Sequence, residues 1–222
     1  MTALLNALDE RILVLDGAMG TMLQQAGLEG CHEHLNLTRP EIILGVHRAY
    51  LDAGADVIET NTFGATRIVL AEYGLAEHVF EVNDAAARLA RQAAQEFSTP
   101  HRPRFVAGAM GPTTKAISVT GGATFRQIQD AYRQQAQALI EGGVDLLILE
   151  TCQDTRNVKA GLLAIQSLER RVPVIVSGTI EPTGTMLAGQ AVDAFWVSVA
   201  HPCAFLTTAL TFSSFFSLSL RS

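Results

Sequence analysis

Short apolar runs recur along the chain, each closed by polar or conformationally special residues. They occupy residues 12–15, 57–58, 105–109, 146–149 and 172–176. Each is rich in Val, Ile and Leu with little alternation, the pattern of parallel strands buried on both faces. Between them lie segments of helical period. Residues 40–53 open on Pro40 and stop before Gly54, a Pro-first, Gly-last helix. Residues 82–97 begin beside Asn83 and Asp84 and are rich in Ala. Residues 124–140 follow Gly121-Gly122 and stop before Gly142-Gly143. Residues 155–169 follow Asp154, a good N-cap, and run toward Pro173. Strand and helix alternate, which means βαβ units and a parallel sheet.

Two architectures satisfy that alternation, an open doubly wound sheet and a closed (β/α)8 barrel. A dinucleotide site wants Gly-x-Gly-x-x-Gly after the first strand. The chain has Asp16-Gly17-Ala18-Met19-Gly20 there, with the wrong spacing, and it has no Gly-x-x-x-x-Gly-Lys-Ser/Thr. A complete barrel needs eight strands in typically about 250 residues. The expected fold is therefore α/β, a TIM barrel with about five of its eight βα units.

Polar residues collect where each apolar run stops. Asp16, Gly17 and Gly20 follow the first run, and Glu59, Thr60, Asn61 and Thr62 the second. Gly108, Gly111, Pro112 and Thr113 close the third. Glu150 and Thr151 close the fourth, and Ser177, Gly178, Thr179 and Glu181 the fifth. In a parallel barrel these positions share the C-terminal rim, where active sites are built. The opposite strand ends show nothing comparable in the pattern. Turn chemistry alone also gathers Gly, Thr and Asn. Acids flush with a strand end are harder to explain so. Asp16 and Glu150 each follow four apolar residues directly, where a carboxylate is costly without a partner. A pair of acids there suits an ammonium group.

Other candidates carry blander readings. Cys31-His32-Glu33-His34 packs metal-ligand residue types together, but its spacing matches no zinc pattern, and a solvated loop is expected. His47 is expected to be a packing or helix-surface residue, and Cys152 a small buried one. Phe63 either closes over a ligand or packs under its loop.

The formal net charge of -6 and the absence of any Lys/Arg run exclude a dominant nucleic-acid partner. Residues 1–11 lack the regions of a signal peptide. Three widely spaced cysteines form no disulfide framework, so a cytoplasmic setting is expected.

These residues carry a resemblance. The stretch from Arg11 through Asp16-Gly17-Ala18-Met19-Gly20-Thr21 to Gln24 resembles the opening of the homocysteine S-methyltransferase domain of cobalamin-dependent methionine synthases. Glu59-Thr60-Asn61-Thr62-Phe63-Gly64-Ala65-Thr66 is similar to that family's second-strand signature and is the most specific motif. Gly111-Pro112-Thr113, the run ending in Glu150-Thr151, and the run ending in Ser177-Gly178-Thr179 follow in the family's order. The resemblance covers roughly residues 5–196.

It implies a (β/α)8 barrel that binds homocysteine and zinc. The metal takes the thiol as thiolate, a better nucleophile, which attacks the methyl group of methylcobalamin carried by a separate module. Cobalamin and folate modules of a longer parent chain are implied partners. By the same resemblance, Asp16 and Glu150 hold the homocysteine ammonium, and Gly17 and Thr60 contact its polar end. Glu59, Asn61, Thr62 and Phe63 line the same rim. Relatives using betaine or S-methylmethionine share the fold and several motifs, so the donor is not encoded. An amino-acid-binding module without catalysis is the alternative.

One departure counts most. The family ends its sixth strand in a zinc-ligand cysteine and carries a later Cys-Cys pair, whereas this chain has no Cys-Cys, and Cys203 falls too early and follows Pro202. No metal ligand and no catalytic residue is assigned. Neither zinc nor cobalamin is expected to bind this chain tightly, and the chain is expected to be truncated and inactive alone. Residues 1–200 are taken as a partial homocysteine-binding domain and 201–222 as a divergent tail foreign to the fold. Residues 194–220 contain no Lys, Arg, Asp or Glu, and 17 of the 27 are apolar, long enough to cross a bilayer. Pro202 and the many Ser and Thr oppose that reading, and an out-of-frame end is favoured. The tail is expected not to pair beside the fifth run.

Overall fold

Four of the five apolar runs become strands of one parallel sheet. The computed structural model describes residues 2–25, 27–117, 122–200 and 210–212, the last three by their backbone. The order begins α1 (Thr2–Glu10), α2 (Met19–Gln25), a 3-10 turn at His32–His34, α3 (Leu35–Thr38), α4 (Pro40–Asp52) and β1 (Val57–Glu59). It continues with α5 (Arg67–Leu70), two 3-10 turns (Ala71–Tyr73 and Ala76–His78), α6 (Val79–Phe97), β2 (Phe105–Met110) and α7 (Phe125–Gly142). β3 (Leu146–Cys152), α8 (Thr155–Gln166), β4 (Val174–Gly178), α9 (Val192–Ala200) and β5 (Leu210–Phe212) complete it. The strands lie in the order β1-β2-β3-β4-β5, every pair parallel.

Local chemistry sets the helix ends. Thr124 caps α7 with a reciprocal box, its hydroxyl accepting from Gln127 N–H while the Gln127 side chain accepts from Thr124 N–H. Gly143, at φ 100, ends that helix in the left-handed conformation a side chain would resist. Asp154 caps α8 by accepting from Arg156 N–H.

The first apolar run departs from expectation. Among the described residues, residues 12–15 meet the sheet only through a parallel bridge from Leu15 to Val57. Val14 O accepts from Asp56 N–H and Val57 N–H, and Asp16 N–H donates to Val57 O at 2.9 Å. Ile12 is 90% exposed and Val14 54%, so burial on both faces is corrected for this run. Its apolar side chains find a partner strand on one edge alone.

The tail expectation is corrected in part. Leu210, Thr211 and Phe212 pair in register with Val176, Ser177 and Gly178. The remainder of 201–222 lies outside the described residues. No helix among those described is long and apolar enough to cross a membrane.

The alternation of side chains along each strand divides the core. On one face Ile58, Val106, Leu147, Leu149, Val174 and Val176 pack against the helices. On the other, Val57, Phe105, Ala107, Ala109, Leu146 and Ile148 form a second cluster that receives Leu4 and Ala7 of α1. His47 is fully buried in α4, and burial lowers its imidazole to about 4. It is a packing residue.

The amino ends of the strands are not featureless, which corrects the sequence pattern. Asp56, just before β1, is 1% exposed and meets three guanidinium groups. Arg11 binds it through two nitrogens at 2.8 and 3.1 Å, Arg102 Nε donates at 3.0 Å and Arg104 at 3.2 Å. Val14 N–H donates to the same carboxylate at 3.1 Å. Burial opposes ionisation, but the hydrogen bonds from Arg11, Val14 and Arg102 outweigh it and hold the carboxyl at about 2.

Candidate functional site

The two-residue period that builds the inner face also delivers the acids. Glu59 lies two residues beyond Val57 and Glu150 two beyond Ile148, so both continue the inner row past its apolar end. Between Leu149 and Cys152 the β3–β4 register shifts, and Thr151 takes a left-handed φ of 53. A β-branched residue resists that conformation, so the surrounding structure holds local strain beside Glu150. Asp16 joins the acids from the bridged segment, its Oδ1 accepting from Glu59 N–H at 3.0 Å.

These three carboxyls disfavour one another's charge. Burial raises Asp16 to about 7, against hydrogen bonds that favour its anion and with added repulsion from Glu150. Burial and then the repulsion of Glu150 and Asp16 push Glu59 well above the usual carboxylate range. Burial raises Glu150 likewise. A cation placed among them would let all three ionise.

The Thr60–Phe63 turn follows β1 and is braced internally. Ala109 N–H donates to Thr60 Oγ1 at 3.0 Å, and Thr62 Oγ1 donates to Ala109 O at 2.7 Å. The 2.6 Å contact between the two hydroxyls must then carry the Thr60 proton. Thr60 and Thr62 thus join β1 to β2, which leaves Thr60 one oxygen lone pair rather than a proton for a ligand. Asn61 spends its amide hydrogens on His32 O at 2.8 Å and Asn36 Oδ1 at 3.1 Å, and Asn36 donates back to Asn61 O at 2.8 Å.

Phe63 is 42% exposed, and its carbonyl accepts from Gly111 N–H at 2.9 Å. A Cβ on Gly111 would lie 2.8 Å from three ring carbons of Phe63. Gly111→Ala is expected to force the ring from its seat and lower the unfolding free energy by about 1–3 kcal/mol, as overpacking does. Urea unfolding reads the change; an unaltered midpoint would mean the ring yields freely.

A cavity of about 410 Å³ opens between these parts, within the range of small-ligand sites. Gly17, Glu59, Thr60, Asn61, Thr62, Phe63 and Glu150 line it, and Asp16 stands behind Glu59. His32 and Glu33 also line it, which the sequence reading missed by leaving them in a solvated loop. Glu33 Oε1 accepts from Gly64 N–H at 2.7 Å, and its Oε2 accepts from Cys31 Sγ at 3.5 Å. The usable signal was the polar density of Cys31-His32-Glu33-His34, read for metal spacing instead of loop anchoring.

Among the described residues, no three His, Cys, Asp or Glu side chains converge as metal ligands. Cys152 is buried, as expected, and burial pushes its thiol far above the usual range. Burial and then Glu33 push Cys31 up to about 11. Thiols so raised are poor sources of thiolate. These residues do not fit a zinc centre.

Comparison with known proteins agrees with this geometry. The homocysteine S-methyltransferase family model matches residues 13–212. Methionine synthases of Mycobacterium leprae (strain TN) and Mycobacterium tuberculosis (strain ATCC 25618 / H37Rv) are 42% and 41% identical over 210 residues. Each match takes in 89% of this chain but only 17% and 18% of those relatives, so the chain spans less than a fifth of their length. The homocysteine methyltransferase MmuM of Escherichia coli, in its oxidized form, superposes with a TM-score of 0.80 at 25% identity over 94% of this chain and 76% of that one. The metallated form gives 0.79 at 23% over 92% and 76%, a likeness of fold alone. With its parallel α/β sheet of the TIM-barrel type and a family match over most of its length, the chain belongs to the homocysteine S-methyltransferase family.

Proposed function

We propose that this chain is the homocysteine-binding segment of a methionine synthase, seating the amino acid for methyl transfer to its sulfur. The observation that carries the reading is that Glu59 and Glu150 line one cavity with Asp16 bound to the Glu59 amide behind them, each carboxyl raised by burial. The α-ammonium of homocysteine supplies the missing positive charge and lets the acids ionise. Gly17 and Thr60 then lie beside the amino-acid end, with Asn61, Thr62 and Phe63 forming the adjoining wall. The reading takes the binding domain through at least Phe212, whose strand pairs with β4, and places the protein in the cytoplasm. The methyl donor in the parent is methylcobalamin, on a module outside this chain beside a folate module. Zinc would serve the parent by holding the thiolate, and its ligands are not drawn from the described residues.

Glu150→Gln tests the reading. The variant keeps the shape of the side chain and removes its charge, so homocysteine affinity should fall by about 1.5–3 kcal/mol, the scale of hydrogen bonds to charged groups. Calorimetric titration with L-homocysteine measures it. An unchanged affinity would make Glu150 a structural residue and sink the assignment.

A further inference from the structure

The turn after β1 forms one wall of the cavity, and its backbone carbonyls are taken up by side chains from three separate helices. Asn36 of α3 donates to Asn61 O at 2.8 Å, Gln135 of α7 to Thr62 O at 2.7 Å and Asn83 of α6 to Ala65 O at 2.9 Å. Gly111 N–H, just after β2, donates to Phe63 O at 2.9 Å. Every one of these donors lies at least 18 residues away in the chain from the carbonyl it meets.

All three carboxamides are buried. A carbonyl only accepts, so each amide must turn its NH2 group to the turn and its oxygen away. The oxygen of Asn36 accepts from Asn61 Nδ2 at 3.1 Å, which closes a reciprocal pair. The oxygens of Asn83 and Gln135 find no partner among the described residues. A buried carboxamide used in that way costs stability. Apolar side chains would fill the same places without that cost, as Ile128 and Leu139 do on α7 and a row of alanines does on α6. What the amide adds is its bond to the turn.

We propose that Asn36, Asn83 and Gln135 are positioning residues that set the cavity wall in its ligand-ready shape before a ligand arrives. This rests on the reading of the cavity as a homocysteine site, and the three amides act on the turn rather than on the ligand. Asn61, Thr62 and Phe63 line the cavity from the backbone so anchored. The anchoring leaves little slack. Thr62 O accepts from Ala65 N–H as well as from Gln135, while the Thr62 hydroxyl is tied to Ala109 O. Loss of a donor leaves a buried carbonyl short of a partner, and a shift of the turn toward water relieves it. The turn then divides its time among several conformations. Affinity falls by the fraction of time spent in the competent one.

The experiment compares the full 222-residue wild-type chain with Gln135→Met, Asn83→Ala and Leu162→Ala. Leu162 is a fully buried residue of α8 whose apolar side chain cannot bond the turn, so its truncation is a packing loss alone. Each protein is unfolded in urea and titrated with L-homocysteine. Amide hydrogen exchange at Ala65 and Gly111 is followed with and without the ligand. In wild type both amides should exchange slowly, and ligand should change them little. Gln135→Met and Asn83→Ala should bind about tenfold more weakly, as for a turn competent a tenth of the time. Their two amides should exchange faster in the free protein and return to the wild-type rate at saturation. Leu162→Ala should unfold at lower urea yet bind as wild type does, because lost stability alone leaves the folded molecules unchanged. Wild-type affinity in both amide variants overturns the proposal, as does an equal loss of affinity in Leu162→Ala. Absence of homocysteine binding by wild type overturns the homocysteine reading instead, and exchange in the free variants still decides whether the amides hold the turn.

Discussion

Asp56→Ala is expected to lower the unfolding free energy by about 3–5 kcal/mol, the cost of removing one partner from a buried ion pair. Three guanidinium groups depend on that carboxylate. Arg104 suffers most, because its side chain is 8% exposed and its Nε finds no partner among the described residues. The Val14 amide loses its acceptor at the same time, which loosens the segment that sets Asp16 against the Glu59 amide behind the cavity. Natural domains hold only about 5–15 kcal/mol of stability, so a large share would go. Urea unfolding of wild type, Asp56→Ala and Asp56→Asn measures it, with the asparagine variant falling between. A loss below about 1 kcal/mol for alanine would mean that the arginines are solvated independently of Asp56.

Glu59→Gln is expected to stabilise the ligand-free chain, and to do so more as pH rises. The folded protein raises this carboxyl above its ordinary 4.5. A group so raised contributes stability that is fully present below the unfolded value and is lost as pH climbs through the folded one. Wild type and variant should therefore unfold alike near pH 4.5 and diverge toward pH 8, by on the order of 2–4 kcal/mol. His47, lowered to about 4, acts in the opposite sense. Its contribution is present above the unfolded value of 6.5 and is lost as pH falls through 4, equally in both proteins, so the comparison cancels it. Homocysteine should reverse the ranking at pH 8, since its ammonium relieves the repulsion only where charge exists. Thermal unfolding of both proteins at pH 4.5, 6 and 8, with and without ligand, decides the matter. A pH-independent difference would show that Glu59 does not sense the other acids in the folded chain.

Both expectations concern groups at strand ends, and the two ends were unequally legible. At the carboxyl ends, Asp16 and Glu150 each terminate an apolar run, and such a contrast survives in the linear order. At the amino ends, Asp56 is separated from Arg11 by 45 residues and from Arg104 by 48. Scattered charges of that kind look like solvated surface until the parallel sheet aligns the starts of its strands. The Cys31–His34 stretch looks like a solvated loop for the same reason, since the partners of His32 and Glu33, Asn61 and Gly64, belong to the turn after β1.

By itself the sequence determined the alternation of strand and helix, the helix cap at Asp154, and the family through the Glu59–Thr66 motif. Those features are local, set by backbone propensity, hydrogen bonds to near neighbours and the period of burial. The tertiary structure decided the rest. It left residues 12–15 with one partner edge, set Leu210–Phe212 beside β4 and brought His32 to the cavity. It also set the protonation of three acids that lie far apart in the chain. Burial and mutual repulsion depend on distances through space, and these exist only once the strands lie side by side.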